Sequence, residues 1–185
     1  MQIAELEPFA GLALEQIFVV SDLRQAEIAF EDLKRAGAVG FDTESKPTFQ
    51  KGEKSEGPHV LQFATSQRAY IFQSHVADCL PVIVRLLESE EILKIGFDLR
   101  GDLSHILRRF GIRPNGIIDL DRSFKKLGYR NAVGAKSAIA MFFQQRLMKS
   151  KSVTVSNWAS HKLTNSQLVY AANDAYAALK VYQEL

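Results

Sequence analysis

Ala38-Val39-Gly40-Phe41-Asp42-Thr43-Glu44 decides how this chain folds. Its first four residues are apolar or glycine, the composition of a strand buried at the centre of a sheet. It then ends on two carboxylates. Residues i and i+2 of a strand face the same side, so Asp42 and Glu44 offer oxygens to one point. Upstream, Ile17-Phe18-Val19-Val20 has the composition of a short strand, and Ser21-Asp22 that of a helix cap. Leu23, Ala26, Ile28, Ala29, Phe30 and Leu33 then recur at helical spacing up to Gly37, a natural helix stop. Residues 1–16 read as an irregular or partly helical lead-in. Residues 17–185 read as one domain.

Downstream of Glu44 the chain changes character. Residues 45–58 are polar, with two Pro and two Gly, and form a loop of functional length beside the carboxylate pair. Two alternating runs, 59–65 and 68–73, are separated only by Ser66-Gln67 and predict a β-hairpin. Strand and helix then alternate. Helices are expected over 76–88, 98–110, 121–127, 135–147 and 164–184, and strands over 91–97 and 116–120. Residues 152–158 read as irregular. Three consecutive antiparallel strands followed by strand–helix–strand predict an α/β fold. Its sheet is five-stranded and mixed, with two parallel strands at the end and helices on its flanks.

Composition excludes several classes. With 185 residues, 46% hydrophobic and 24% charged, the chain is long enough for one sizeable core and has globular usage. No apolar run spans a bilayer, so no membrane partner is expected. Glu5 and Glu7 open the chain in place of a basic signal region. The single Cys79 allows no internal disulfide and fits a reducing, intracellular compartment, cytoplasmic or nucleoid-associated. In its helical pattern it reads as a buried bystander. A net charge of +2 is not that of a basic nucleic-acid coat.

Acid-x-acid spacing occurs four times: Glu5/Glu7, Asp42/Glu44, Glu88/Glu90 and Asp119/Asp121. Composition alone predicts about two such pairs, so the count decides nothing and setting decides more. Only Asp42/Glu44 and Asp119/Asp121 end apolar strands, and Asp119/Asp121 is the rival, since it also suits a helix cap. Two further aspartates, Asp98 and Asp102, follow the 91–97 strand. Asp98 reads as the helix cap, whereas Asp102 falls in the first turn. Tyr170 and Asp174, four apart, share one face of the last helix among Ala171, Ala172, Ala175, Ala177 and Ala178. An aspartate on so closely packed a face is expensive to bury unless something offsets its charge.

Taken together these motifs resemble the 3'-5' exonucleases that carry four acidic residues and a tyrosine in the third motif. The first motif is Phe41-Asp42-Thr43-Glu44. The second is Ile95-Gly96-Phe97-Asp98-Leu99-Arg100-Gly101-Asp102-Leu103, similar to Werner-syndrome-type exonuclease domains, and the third is Tyr170-Ala171-Ala172-Asn173-Asp174. The segment from Leu147 to Ser156-Asn157-Trp158 is similar as well. Ser45 departs from the group, which often has an aromatic residue there.

The resemblance implies a ribonuclease-H-like fold and two divalent cations, Mg²⁺ or Mn²⁺. It assigns Asp42, Glu44, Asp102 and Asp174 as metal ligands and Tyr170 as the residue that orients the attacking water. Together these five are the expected catalytic residues. The reaction implied is removal of nucleoside 5'-monophosphates from a free 3' end, with DNA favoured over RNA. A ribonuclease-D-like RNA trimming enzyme and a non-catalytic nucleic-acid-binding module on the same fold are the alternatives. Lys46, Phe49 and Lys51 in the loop, and Lys149 and Lys151 before the last helix, are the expected nucleic-acid contacts. Trp158 is expected to anchor its segment rather than stack on a base. With no helicase or second nucleic-acid-binding module in the sequence, substrate delivery is expected to rest on the domain itself or on another chain.

Overall fold

The run that ends at Glu44 lies at the middle of the sheet, and the rest of the chain is wrapped around it. The computed structural model describes residues 3–48 and 52–185. In chain order its elements begin with β1 (Glu7–Pro8), β2 (Ile17–Val20), α1 (Leu23–Ala36) and β3 (Ala38–Glu44). The hairpin β4 (Val60–Ala64) and β5 (Ala69–Gln73) follows, then α2 (Leu80–Glu88), β6 (Leu93–Gly96) and α3 (Arg100–Phe110). The last third holds β7 (Ile117–Asp119), α4 (Leu120–Lys126), α5 (Ala135–Phe143), β8 (Gln145–Arg146), α6 (Lys151–Thr154) and α7 (Asn165–Gln183).

Six strands form the main sheet, in the order β2-β5-β4-β3-β6-β7. Only β4 runs against the others. The α/β class and the mixed sheet are as expected, and the strand count is one higher. The extra strand is β2, which pairs parallel to β5 at the edge. Its Phe18 and Val19 are exposed, so this apolar run does not belong to the core in the way its composition suggests. β1 and β8 add a separate two-residue parallel pair.

Alternation along β3 sends its side chains into two different layers. Val39 and Phe41 join the core beneath α1, α2 and α3, with Ala29, Leu33, Ile83, Leu86 and Ile106. Gly40, Asp42 and Glu44 face α7. Gly40 has to be glycine, because a Cβ there would lie 1.8 Å from the carbonyl oxygen of Ala175. That contact, with the alanine face of α7, brings the helix backbone down onto β3 and carries Asp174 to the strand's end.

Local signals fix the helix ends. Asp22 caps α1 by accepting from Gln25 N at 2.8 Å, and Gly37 ends it at a positive φ of 70°. Thr164 and Gln167 cap α7 reciprocally. The lead-in is tied to α7 as well. Leu12 N donates to Asn173 Oδ1 at 2.7 Å, and Asn173 Nδ2 donates back to Leu12 O at 3.2 Å. Cys79 is buried, with its thiol pushed up by burial, and does not bear on any site.

Candidate active site

β3 and β6 are parallel neighbours, so their C-terminal ends lie side by side. Ligands of open α/β sheets collect at such ends. Here β3 delivers Asp42 and Glu44, α7 delivers Asp174 and Tyr170, and the first turn of α3 delivers Asp102. Oxygens of Asp42, Glu44 and Asp174 all lie within 4.8 Å of one another. Asp102 stands apart from that trio and accepts a hydrogen bond from Thr43 Oγ1. Thr43 N donates in turn to Asp42 Oδ1 at 2.8 Å, so one residue bridges the two layers.

Little in the protein compensates this charge. Lys149 Nζ meets Asp174 Oδ2 at 2.7 Å and lies 5.7 Å from the centre of the Tyr170 ring. Burial, then the carboxylates of Asp102, Asp174 and Glu44, push Asp42 well above the usual carboxylate range. Burial and Asp174 push Glu44 up to about 8. Asp102 is raised by burial despite its bond from Thr43, and Asp174 by burial despite Lys149. Burial works against the Lys149 ammonium, but Asp174 outweighs it and holds the charge on. One paired lysine, with Lys136 acting on Asp174 as a lesser influence, leaves four acids under-compensated, and a divalent ion would offset that charge.

The donor set fits such an ion. It is all carboxylate oxygen, with no histidine or cysteine in the group, which suits hard cations and not structural zinc. Tyr170 is mostly buried beside it, pushed up to about 12 by burial and by Asp174. Its hydroxyl hydrogen-bonds Thr154 Oγ1 at 3.0 Å. Trp158 is fully buried, donates from Nε1 to Thr154 O at 3.2 Å and packs 5.9 Å from the Tyr170 ring. It is an anchor, and what it anchors is the partner of the tyrosine hydroxyl.

In the rival pair Asp119 is occupied by the protein's own backbone, while Asp121 Oδ1 is buried without a partner among the described residues. Asp119 accepts from Asp98 N and Leu99 N at 3.2 Å each and from Asp121 N at 3.0 Å. Asp121 pairs with Lys125 at 2.6 Å. Asp98 does not cap α3 as expected. It sits at a positive φ of 47° with its side chain exposed, and Asp119 takes its N–H instead. Asp119 thus braces the Asp98–Leu99 turn that leads into α3, the helix that carries Asp102.

Of the expected nucleic-acid contacts, Lys46 and Lys151 are exposed, and Lys149 is turned inward onto Asp174. Phe49 and Lys51 lie outside the described residues. The loop between β3 and β4 is tethered to α3, where His105 Nδ1 lies 3.4 Å from Ser45 Oγ and Arg109 donates to Glu56 O. One concavity borders the site, and a second is lined by none of its five residues. The first, of about 770 Å³, has Lys149, Tyr170, Met148, Leu12 and Val169 in its wall. The other, of about 600 Å³, runs along β7 and is rimmed by Arg100, Arg113, Arg122 and Lys126. Sequence reading missed this second cluster, because its members come from three separate stretches.

The family description 3'-5' exonuclease matches residues 17–185. The chain belongs to the 3'-5' exonuclease family. This exonuclease domain is 31% identical over 155 residues to the mouse bifunctional 3'-5' exonuclease/ATP-dependent helicase WRN, covering 83% of the chain and 11% of that protein. It is 29% identical over 159 residues to ribonuclease D of Gluconacetobacter diazotrophicus, covering 84% of the chain and 38% of that enzyme. An Arabidopsis thaliana 3'-5' exonuclease is 28% identical over 152 residues, and the chain spans 52% of its length. The chain thus spans about half or less of these relatives. Among solved structures, the Aedes aegypti Nibbler EXO domain superposes with a TM-score of 0.77 at 22% identity, over 95% of this chain and 90% of that one. Escherichia coli RNase D gives 0.77 at 20%, over 90% and 43%. These likenesses establish the ribonuclease-H-like exonuclease fold. No helix among the described residues is long and apolar enough to cross a membrane.

Proposed function

We propose that this domain removes nucleoside 5'-monophosphates one at a time from the free 3' end of a nucleic acid, using two divalent cations. The observation that carries the reading is the convergence of Asp42, Glu44 and Asp174 within 4.8 Å at the end of β3, with Tyr170 on the same helix face as Asp174. Mg²⁺ or Mn²⁺ held there would supply a nucleophile at neutral pH and charge neutralisation at the leaving 3' oxygen.

Each side chain has a distinct part. Asp42, Glu44 and Asp174 would hold one cation, and Asp42 and Asp102 would support a second. Tyr170 keeps its proton at neutral pH, since its hydroxyl is pushed up to about 12, and so orients the attacking water rather than deprotonating it. Lys149 supplies positive charge at Asp174 when no cation is bound. Lys46, Lys151 and the arginines along β7 provide a basic surface for the phosphate backbone.

DNA is the favoured substrate, on the likeness of the Ser156-Asn157-Trp158 segment to Werner-type domains. RNA trimming is the second reading, favoured by a ribonuclease D at nearly the same identity as WRN. Digestion of 3'-labelled and 5'-labelled oligonucleotides, DNA and RNA, with Mg²⁺ or Mn²⁺ tests both. Release of labelled mononucleotide from the 3' end is expected, faster on DNA. Full activity after thorough chelation, or cleavage indifferent to a blocked 3' end, would overturn the reading.

A further inference from the structure

Gln62 is wholly buried, and neither its Nε2 nor its Oε1 has a hydrogen-bond partner among the described residues. It lies on β4 directly opposite Asp42 in the antiparallel pairing with β3, and opposite Ile71 on its other side. Directly paired residues project to the same face of a sheet, with Cβ atoms about 4.5–5.5 Å apart. Gln62 therefore points toward α7 beside Asp42. On this face of the hairpin Val60, Ala64, Ala69 and Ile71 pack with the alanines of α7 and offer no polar group, and the one further polar side chain, Gln73, donates its Nε2 to Ser160 O at 2.8 Å. An unpaired amide in such surroundings is unfavourable, and an apolar residue of similar size would pack there without the penalty.

Asp42 is the neighbour with an oxygen to spare. Among the described residues only Thr43 N donates to it, at Oδ1. We propose that Gln62 is a positioning residue for Asp42. Its Nε2–H donates through one buried water to the second Asp42 oxygen and fixes the carboxylate's orientation toward the cations. The proposal rests on the two-cation reading above.

The residue type suits that task. An amide donates without adding charge, whereas a lysine there would repel the cations and a glutamate would add a fifth acid to an overcharged site. Donors that orient a ligating carboxylate typically set metal affinity by about 10–100-fold.

The test is calorimetric titration of Mn²⁺ into the nucleic-acid-free protein, for wild type, Gln62→Leu, Gln62→Met and Gln62→Asn. Thermal midpoints in chelator and initial rates across Mn²⁺ concentrations accompany it. The two apolar variants are expected to keep or raise the metal-free midpoint and to weaken Mn²⁺ binding by about 10–100-fold. Their kcat recovers at high Mn²⁺. Gln62→Asn, which keeps a donor, falls between. Gln62→Met guards against poor packing of the branched leucine. Unchanged Mn²⁺ affinity in either folded apolar variant would sink the proposal alone, since a purely structural role predicts that result. A wild-type protein that binds no Mn²⁺ would sink the two-cation reading as well.

Discussion

Two acid-x-acid pairs end apolar strands in this protein, at the same spacing, and each cluster contains a lysine within 2.7 Å of a carboxylate. They differ in what else meets their oxygens. Asp119 accepts from three backbone N–H groups, and Asp121 pairs with an exposed lysine one helix turn away. Asp42 accepts from one, and Glu44 and Asp174 crowd against it. A carboxylate already served by the backbone is a structural part. Carboxylates left mainly to one another have an unmet electrostatic requirement, and that is what marks a cation site. Exchanging the roles of the two pairs is the most direct way to break this distinction.

The largest effect is expected at Asp42. Asp42→Ala should lower kcat/KM on a 3'-labelled oligonucleotide by at least ~10³-fold, the scale of losing a preorganised charge-stabilising element. Glu44→Gln and Asp174→Asn should follow closely. Asp119→Ala, assayed per folded molecule, should stay within about tenfold of wild type. Comparable losses at Asp42 and Asp119 would erase the distinction.

Next in size is the pH response of the metal-free protein. Glu44 is pushed from its ordinary 4.5 up to about 8, and Asp42, Asp102 and Asp174 are also raised. Across this window the folded form holds more protons than the unfolded one. The stability these groups contribute is therefore fully present below about 4.5 and lost as pH rises through about 8. Thermal midpoints in chelator should fall over that range, Mg²⁺ should restore them at high pH, and Asp42→Asn should flatten the curve. Lys149→Met should steepen it, because the trio would then lose the ammonium at Asp174. A flat wild-type curve would mean that the cluster carries no stored repulsion.

A smaller effect, on stability, is expected at Asp119. Removing its carboxylate strands three N–H groups and a helix cap, which costs about 2 kcal/mol. Denaturant melts of Asp119→Ala should show that loss with Mg²⁺ present or absent. A loss that appeared only with the metal would assign Asp119 to the cation site instead.

How much of this distinction could be read from sequence depends on which interactions are local. β3 was legible, because an apolar run closed by i and i+2 carboxylates carries its own geometry. The hairpin, the cap at Asp22 and the alanine face of α7 were legible for the same reason. β2 as a sheet member was not, because its pairing with β5 spans about fifty residues of intervening chain and its own pattern is half exposed. The bracing of the Asp98–Leu99 turn by Asp119, the inward turn of Lys149 and the isolation of Gln62 depend equally on distant partners. No periodicity or spacing encodes them. Asp98 shows the limit most clearly. Its place at a strand-to-helix change suggested a cap, but a positive φ turned the side chain outward and a residue 21 positions away took its N–H.

The smallest expected effect is the one that separates the two lysine contacts. Lys125 and Asp121 are an i,i+4 pair in which the lysine is about half exposed, and such pairs contribute ~0.3–0.5 kcal/mol. Asp121 also lies in the first turn of α4, where a negative charge adds a few tenths of a kcal/mol at low salt. Asp121→Ala should therefore shift the denaturation midpoint only slightly, and raising ionic strength should shrink the shift further. Lys149 and Asp174 are the same length of contact in drier surroundings, one partner of a crowded acidic group, so Lys149→Met in chelator should respond much less to salt. Equal salt sensitivity of the two variants would mean that Lys149 is solvated much as Lys125 is. The acidic trio would then be open to water, and the repulsion that calls for a cation would already be screened.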